Sequence, residues 1–380
     1  MDNVQLQQAY FKEMRLVSSR TDAEMALFAN EFARKFAIHS VSQPAIELIE
    51  KRAHSGRPKL RPFVFVVASS RHSTDAPPQT IRLAAVAELF NVSTYLLNLS
   101  IDRKGEQNGS DRSHQWLGGI LLENFCQELI KGISEVSPAA RLAASGAFSN
   151  GFQRVTEGLA FDIGEMSNVE ECLKLDLRQF IKLYVQRCEL LGGASLQAVC
   201  LAAASVAGCG EKRRESLALY GQMHGLALQV INDIADFVPV TRSGKSVGKC
   251  SEDQFADLRN HRVTLPVFQF CSQTPPEQRK RLFGQAHIPR AEATREMLHM
   301  LSKVDAFSTA IQLATAADAV ALEALSSLAD EFGDLLRLSL QVSQSNRFFK
   351  YLRQRGVMNA EANPELGEMI RATLEACQIK

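Results

Sequence analysis

Apolar positions recur at spacings of three and four along most of the chain, and period-two alternation is scarce, so the pattern predicts helices nearly throughout. Residues 3–54 carry two or three amphipathic helices, and Ser55–Pro62 (SGRPKLRP) interrupts them with a basic loop. The short apolar run Phe63–Ser69 suits a strand or a buried helix, and its helical surroundings favour the helix. After a break at His72–Pro78, a helix is predicted from Thr80 to Ser100, then a polar stretch at Arg103–Ser113 and a largely apolar run at Trp116–Ile133. Further helices are predicted over 137–164, 174–190, 192–208 and 212–237. Thr241–Asn260 reads as a loop rich in Gly, Lys and Ser, and a turn follows at RVTLP. Residues 276–340 give more helices, and the last thirty a helix with a tail. The pattern predicts an all-α chain with one helical domain over 1–340 and a helical extension over 341–380.

Within this pattern Tyr220–Phe237 (YGQMHGLALQVINDIADF) carries the clearest candidate chemistry. On a helix, Gly221, Gly225, Gln229, Asn232, Asp233 and Asp236 share one face, beside an apolar stripe of Leu217, Leu228, Ile231 and Ile234. An amide and two carboxylates projecting together suit a hard cation such as Mg2+, which binds through one or two carboxylates plus substrate phosphates. A helix cap or a solvated acidic edge fits the same spacing.

Composition narrows the class. With 380 residues and 46% hydrophobic content, the chain can bury a large core. Its 43 basic and 42 acidic residues leave a net charge of +1, which gives no footprint for nucleic acid. The eight cysteines form no CxxC pair, which fits buried thiols in a reducing compartment rather than a zinc site. The charged N-terminus, MDNVQLQQAYFKEMRL, is no signal peptide. Leu190–Cys209 is uncharged, but its Ala, Gly and Ser content reads as a packed core helix rather than a membrane span. These features predict a cytoplasmic protein without a transmembrane segment. No histidine pair has metal-ligand spacing, and Trp116 is expected in the core.

Several landmarks fall in order: GRPKLRP at 56–62, Glu88-Leu89-Phe90, EGLAFDIG at 157–164, the 220–237 stretch, GKSVGKC at 244–250 and DLRNHRVTLP at 257–266. From Gly56 to Pro266 the chain resembles the trans-isoprenyl diphosphate synthases, the polyprenyl synthetase family. The resemblance implies an isoprenoid-synthase-type helical bundle around a deep central cavity, usually in a homodimer. It also implies two DDxxD motifs that hold Mg2+ ions against an allylic diphosphate, because the leaving group needs its charge neutralised as the C–O bond ionises.

The resemblance assigns roles residue by residue. The second motif is Asn232-Asp233-Ile234-Ala235-Asp236, with Gln229 at the family's glutamine. The first motif falls on Asn98-Leu99-Ser100-Ile101-Asp102, where only Asp102 keeps a carboxylate. Metal ligation is therefore expected from Asn232, Asp233, Asp236 and Asp102, and catalysis from Asp233, Asp236 and Lys245. Substrate contacts are expected from Gln229, Arg187, Arg57, Lys59, Arg61, Lys249 and Asn98. Asp162 is expected to orient a basic group. Asn91 stands where the family has histidine, and Arg187-Cys188 where it has Lys-Thr. Ser93 and Thr94, where the family sets product length, are small; they imply an open cavity floor, or else simple helix surface.

Three functions follow from the resemblance. The first is a prenyl-diphosphate-using enzyme that ionises an allylic diphosphate and either transfers the prenyl group or cyclises it. The second is a non-catalytic subunit pairing with an active homologue. The third is a chain-elongating synthase using isopentenyl diphosphate. The implied partners are an allylic prenyl diphosphate, isopentenyl diphosphate, and a second copy or a homologue as dimer mate.

Overall fold

A computed structural model of the chain describes residues 3–37, 39–70, 75–101, 112–237, 255–285, 290–326 and 364–378, with residues 328, 336, 337 and 340. Every regular element among them is helical. The all-α expectation holds.

The N-terminal half runs through α1 (Asn3–Lys35), α2 (His39–Ala53), α3 (Leu60–Ser69), α4 (Pro78–Ile101), α5 (Arg112–Gly132) and α6 (Pro138–Gly164). A one-turn α7 (Val169–Cys172) precedes α8 (Leu177–Cys188), the π-helical segment Glu189–Gly193, α9 (Ala194–Val206) and α10 (Glu211–Ala235). The remainder comprises α11 (Ala256–Arg259), α12 (Leu265–Gln273), α13 (Pro276–Gln285), α14 (Arg290–Lys303), α15 (Ser308–Ser326) and α16 (Pro364–Gln378). The run Phe63–Ser69 is thus a buried helix, as its surroundings suggested, with every residue from Pro62 to Ala68 buried.

The chain groups into two compact units. Unit 1 holds Met1–Thr156, Ala194–Gln222 and Ala321–Gln341; unit 2 holds Glu157–Gly193, Met223–Val320 and Val342–Lys380. In unit 1, α4 is buried on nearly all sides and packs against α1, α2, α3 and α5. Gly118 and Gly119 bring α5 close: a Cβ on Gly119 would lie 2.9 Å from the Ser93 carbonyl oxygen, and one on Gly118 would lie 2.8 Å from that of Val41. That packing turns Trp116 outward, 37% exposed beside Leu117, so the expectation of a core tryptophan fails. Ser93 and Thr94 are buried, with hydroxyls donating to the Phe90 and Asn91 carbonyls, so they are not helix surface.

In unit 2, α8 opens on a capping box, Asp176 and Gln179 each accepting from the other's backbone N–H. Phe180 then stacks on Phe268 of α12 at 3.9 Å, and α16 packs on α8. The helices predicted over 174–190 and 192–208 are not separate. The π turn absorbs the irregularity, so helical structure runs from Leu177 to Val206. Among the described residues two helical stretches, Pro78–Ile101 and Leu177–Val206, are long and apolar enough to cross a membrane, and 78% and 61% of their apolar windows are buried in the protein. Burial on that scale is what core helices show.

Candidate functional site

The site residues on α10 are set by one close approach. Gly225 on α10 and Gly192 in the π segment touch backbone to backbone: a Cβ on Gly225 would lie 2.3 Å from the Gly192 oxygen. Only glycine permits that distance. Gln229 follows one turn on and Asp233 two, and Asp233 meets Tyr184 and Arg187 of α8.

There Asp233 is fully buried and, among the described residues, accepts from Tyr184, Arg187 and Gln229. Its Oδ2 accepts from the Tyr184 hydroxyl and from Arg187 Nη1, each at 2.6 Å, and its Oδ1 accepts from Gln229 Nε2 at 3.0 Å. Arg187, 2% exposed, also donates from Nε to Asp162 Oδ1 at 2.5 Å. Arg262 Nη1 lies 2.9 Å from Asp162 Oδ2 and 3.7 Å from Asp257. The turn that brings Arg262 in is tied down by its own N–H to the Asp257 carbonyl and by Val263 N–H to the Met166 carbonyl. Asp236 accepts the backbone N–H of Phe255, whose φ of 61° places it in the left-handed region. Burial alone would lower the pKa of Arg187, but Asp162 and Asp233 overcome it and raise it well above its ordinary value. Burial, with Asp233 beside it, raises Tyr184 likewise, so the phenol stays a donor.

The expected site residues are thus placed unevenly. Asp162 orients basic groups as expected, holding Arg187 and Arg262 together. Gln229 and Asp233 share a face as the spacing indicated, whereas Asn232 is exposed. Arg187, expected to meet a phosphate, instead bridges two carboxylates in a buried network. Asp233, expected on a metal, has both oxygens engaged. Among the described residues no group of three His, Cys, Asp or Glu side chains could hold a metal ion. The donors around Asp233 therefore do not fit a metal centre. Asp102, Lys245 and Lys249 lie outside the described residues.

In unit 1 the basic loop disperses. Lys59 is 5% exposed, and its ammonium donates to Asp22 Oδ1 at 2.5 Å, so it is structural rather than substrate-facing. Arg57 is exposed. Arg61 turns inward, and its Nε and Nη2 both donate to Ser195 Oγ at 3.2 Å. Burial lowers its pKa; Glu88 opposes the shift and Arg52 adds to it. Glu88 is itself taken by Arg52 at 3.2 Å and by the Asn91 amide at 3.3 Å. Asn98 is partly buried near the end of α4.

Sequence reasoning missed Tyr184, Arg262, Asp22 and Ser195. Tyr184 had a signal, since it stands three residues before Arg187 on the same helical face. The others are contacts distant in sequence, which spacing does not reveal.

The family model for polyprenyl synthetase matches residues 115–304, half of the chain. The chain belongs to the polyprenyl synthetase family. The matched stretch includes α8, α10 and the whole Asp162–Arg187–Asp233–Arg262 network. Solanesyl-diphosphate synthase 2, chloroplastic, from Oryza sativa subsp. japonica is 25% identical over 313 residues, covering 77% of this chain and 66% of that protein. Heptaprenyl diphosphate synthase component 2 from Bacillus subtilis (strain 168) is 29% identical over 154 residues, covering 38% and 40%. The chain thus spans less than two thirds of the length of the curated relatives it matches. Among solved structures, geranylgeranyl pyrophosphate synthetase from Pyrococcus horikoshii Ot3 shares the fold, with a TM-score of 0.67 and 17% identity over 87% of this chain and 98% of that one. Polyprenyl synthase from Caulobacter crescentus CB15, complexed with calcium and isoprenyl diphosphate, gives 0.63 and 18% over 85% and 97%.

Proposed function

We propose that the chain is a prenyl-diphosphate-using enzyme that transfers a prenyl group from an allylic diphosphate. The observation that carries this reading is Arg61. Its guanidinium is partly buried, and Ser195 Oγ is its one hydrogen-bonding partner among the described residues. Glu88, the nearby carboxylate, is already committed to Arg52 and Asn91. A planar cation held inward without a carboxylate of its own suits diphosphate oxygens, which it can grip in bidentate fashion. The curated relatives, named as solanesyl, hexaprenyl and octaprenyl diphosphate synthases, support isopentenyl diphosphate as the second substrate.

A divalent cation, with Mg2+ as the expectation, would accompany the substrate diphosphate; the calcium in the Caulobacter crescentus complex supports this. A homodimer, or a heterodimer with a homologue, and a cytoplasmic setting complete the proposal. The word "component" in the name of the Bacillus subtilis relative supports the heteromer.

The test is diphosphate release by the purified chain with Mg2+ and geranyl, farnesyl or geranylgeranyl diphosphate, each with and without isopentenyl diphosphate. Longer diphosphates formed only when isopentenyl diphosphate is present are expected. Arg61→Ala should raise the KM for isopentenyl diphosphate by about tenfold or more. A hydrocarbon or alcohol formed without isopentenyl diphosphate would assign cyclisation instead. The partner-subunit reading draws on the closed state of Asp233, and absence of release in every combination would support it.

A further inference from the structure

Asp233 already has a counter-ion. Arg187 Nη1 lies 2.6 Å from its Oδ2, and that oxygen also accepts from Tyr184, while Gln229 takes Oδ1. The guanidinium is not free to swing aside. Its Nε is held at 2.5 Å by Asp162, which Arg262 holds in turn at 2.9 Å. Moving Arg187 off Asp233 would break two ion pairs in a region where Arg187, Asp162 and Asp233 are all at most 2% exposed, and would strand buried charge. A divalent cation on the same carboxylate would meet the guanidinium as a like charge at short range in a poorly screening interior. Mg2+ also demands near-octahedral oxygen ligation at about 2.0–2.1 Å, which the donors already on both Asp233 oxygens obstruct.

We propose that Arg187 is the permanent counter-ion of Asp233, so that this carboxylate binds no divalent cation and the network serves as a structural strut across α6, α8 and α10 within unit 2. Any cation that enters with a diphosphate is then held without Asp233. The inference rests on the prenyl-diphosphate reading only for the choice of probe. Its readout is the position and affinity of a metal, not turnover, so either idea can fail alone.

The decisive experiment is to soak crystals of the full wild-type chain in Mn2+ with inorganic diphosphate and locate the metal by anomalous scattering. The expected result is an intact Arg187–Asp233 pair, with no Mn2+ within about 3 Å of either Asp233 oxygen, well beyond coordination distance. A Mn2+ ion bonded to Asp233 with Arg187 displaced would overturn the proposal. In solution, Asp233→Asn should leave the Mn2+ affinity in the presence of diphosphate, read by electron paramagnetic resonance, within about twofold of wild type, while its melting temperature falls. A folded Asp233→Asn chain that loses Mn2+ affinity by about tenfold or more would also overturn it, since that is the range expected for disturbing a metal's ligand shell.

Discussion

At the scale of single residues, the Asp162–Arg187–Asp233 group is where charge and burial meet most sharply, and it makes graded expectations. Tyr184→Phe removes the phenol donor from Asp233 but leaves the ion pair, so it should cost about 1–2 kcal/mol in urea unfolding at pH 7. Arg187→Ala leaves Asp233 without its guanidinium and should cost about 3–5 kcal/mol. Arg187→Lys keeps the charge but loses the planar fork that spans two carboxylates, and should fall between them. Equal losses for the phenol and the guanidinium would show that the ion pair is not the principal element. Part of this was legible in the sequence: Gln229 and Asp233 stand four apart on a helix, and they do meet. The role of Arg187 was not. An arginine carries no mark of whether its anion will be a substrate phosphate or a buried aspartate, and only the arrival of Asp162 from α6 decides it. Lys59 misleads in the same way, since the basic loop reads as a phosphate grip until Asp22 on α1 claims its ammonium.

At the scale of elements, helix periodicity located nearly every helix, because most of them bury a stripe on a 3.6-residue repeat. It failed at the α8–α9 junction. The helices predicted over 174–190 and 192–208 are joined, because Glu189–Gly193 form a π turn whose glycines serve a tight crossing. The crossing yields a paired prediction. Gly225→Ala drives a methyl to 2.3 Å from the Gly192 carbonyl oxygen, which is backbone and has little freedom to yield, so about 3 kcal/mol of stability should be lost. Gly146, inside α6, has open space where an alanine methyl would stand, with no atom within 4 Å of it. Gly146→Ala should therefore gain about 0.5–1 kcal/mol through helix propensity and lower unfolded-state entropy. Chemical denaturation of the two variants side by side checks the sign of each. Destabilisation by both would mean that glycine is needed for something other than the close approach. Because Gln229 and Asp233 follow Gly225 on the same helix, Gly225→Ala should also displace the Asp233 network, whereas Gly146→Ala should leave it alone.

At the scale of the whole chain, the all-α class was legible because it depends only on repeated pattern, while the division into two interleaved units depends on which distant segments pack together. Net charge is near zero at neutral pH, so the sequence alone gives little reason for stability to change there. Glu123 on α5 supplies one. It is 7% exposed, its Oε1 accepts from Gln127 at 2.6 Å, and its Oε2 has no hydrogen bond among the described residues. Burial lifts its pKa from 4.5 to about 7, with the Gln127 hydrogen bond opposing the shift. Between those values the folded chain holds a proton that the unfolded chain has released. The stabilisation is therefore complete below about pH 4.5 and is lost as pH rises through about 7, amounting to about 3 kcal/mol across the window. Glu123→Gln keeps the shape and cannot ionise, so its stability should lack this decline. Urea midpoints at pH 5 and pH 8 for both chains measure it, and the difference between the two slopes isolates Glu123 from every other titrating group. Identical slopes would mean that Glu123 ionises in the folded chain as readily as in water, and that the carboxyl is more accessible to solvent than its buried place on α5 requires.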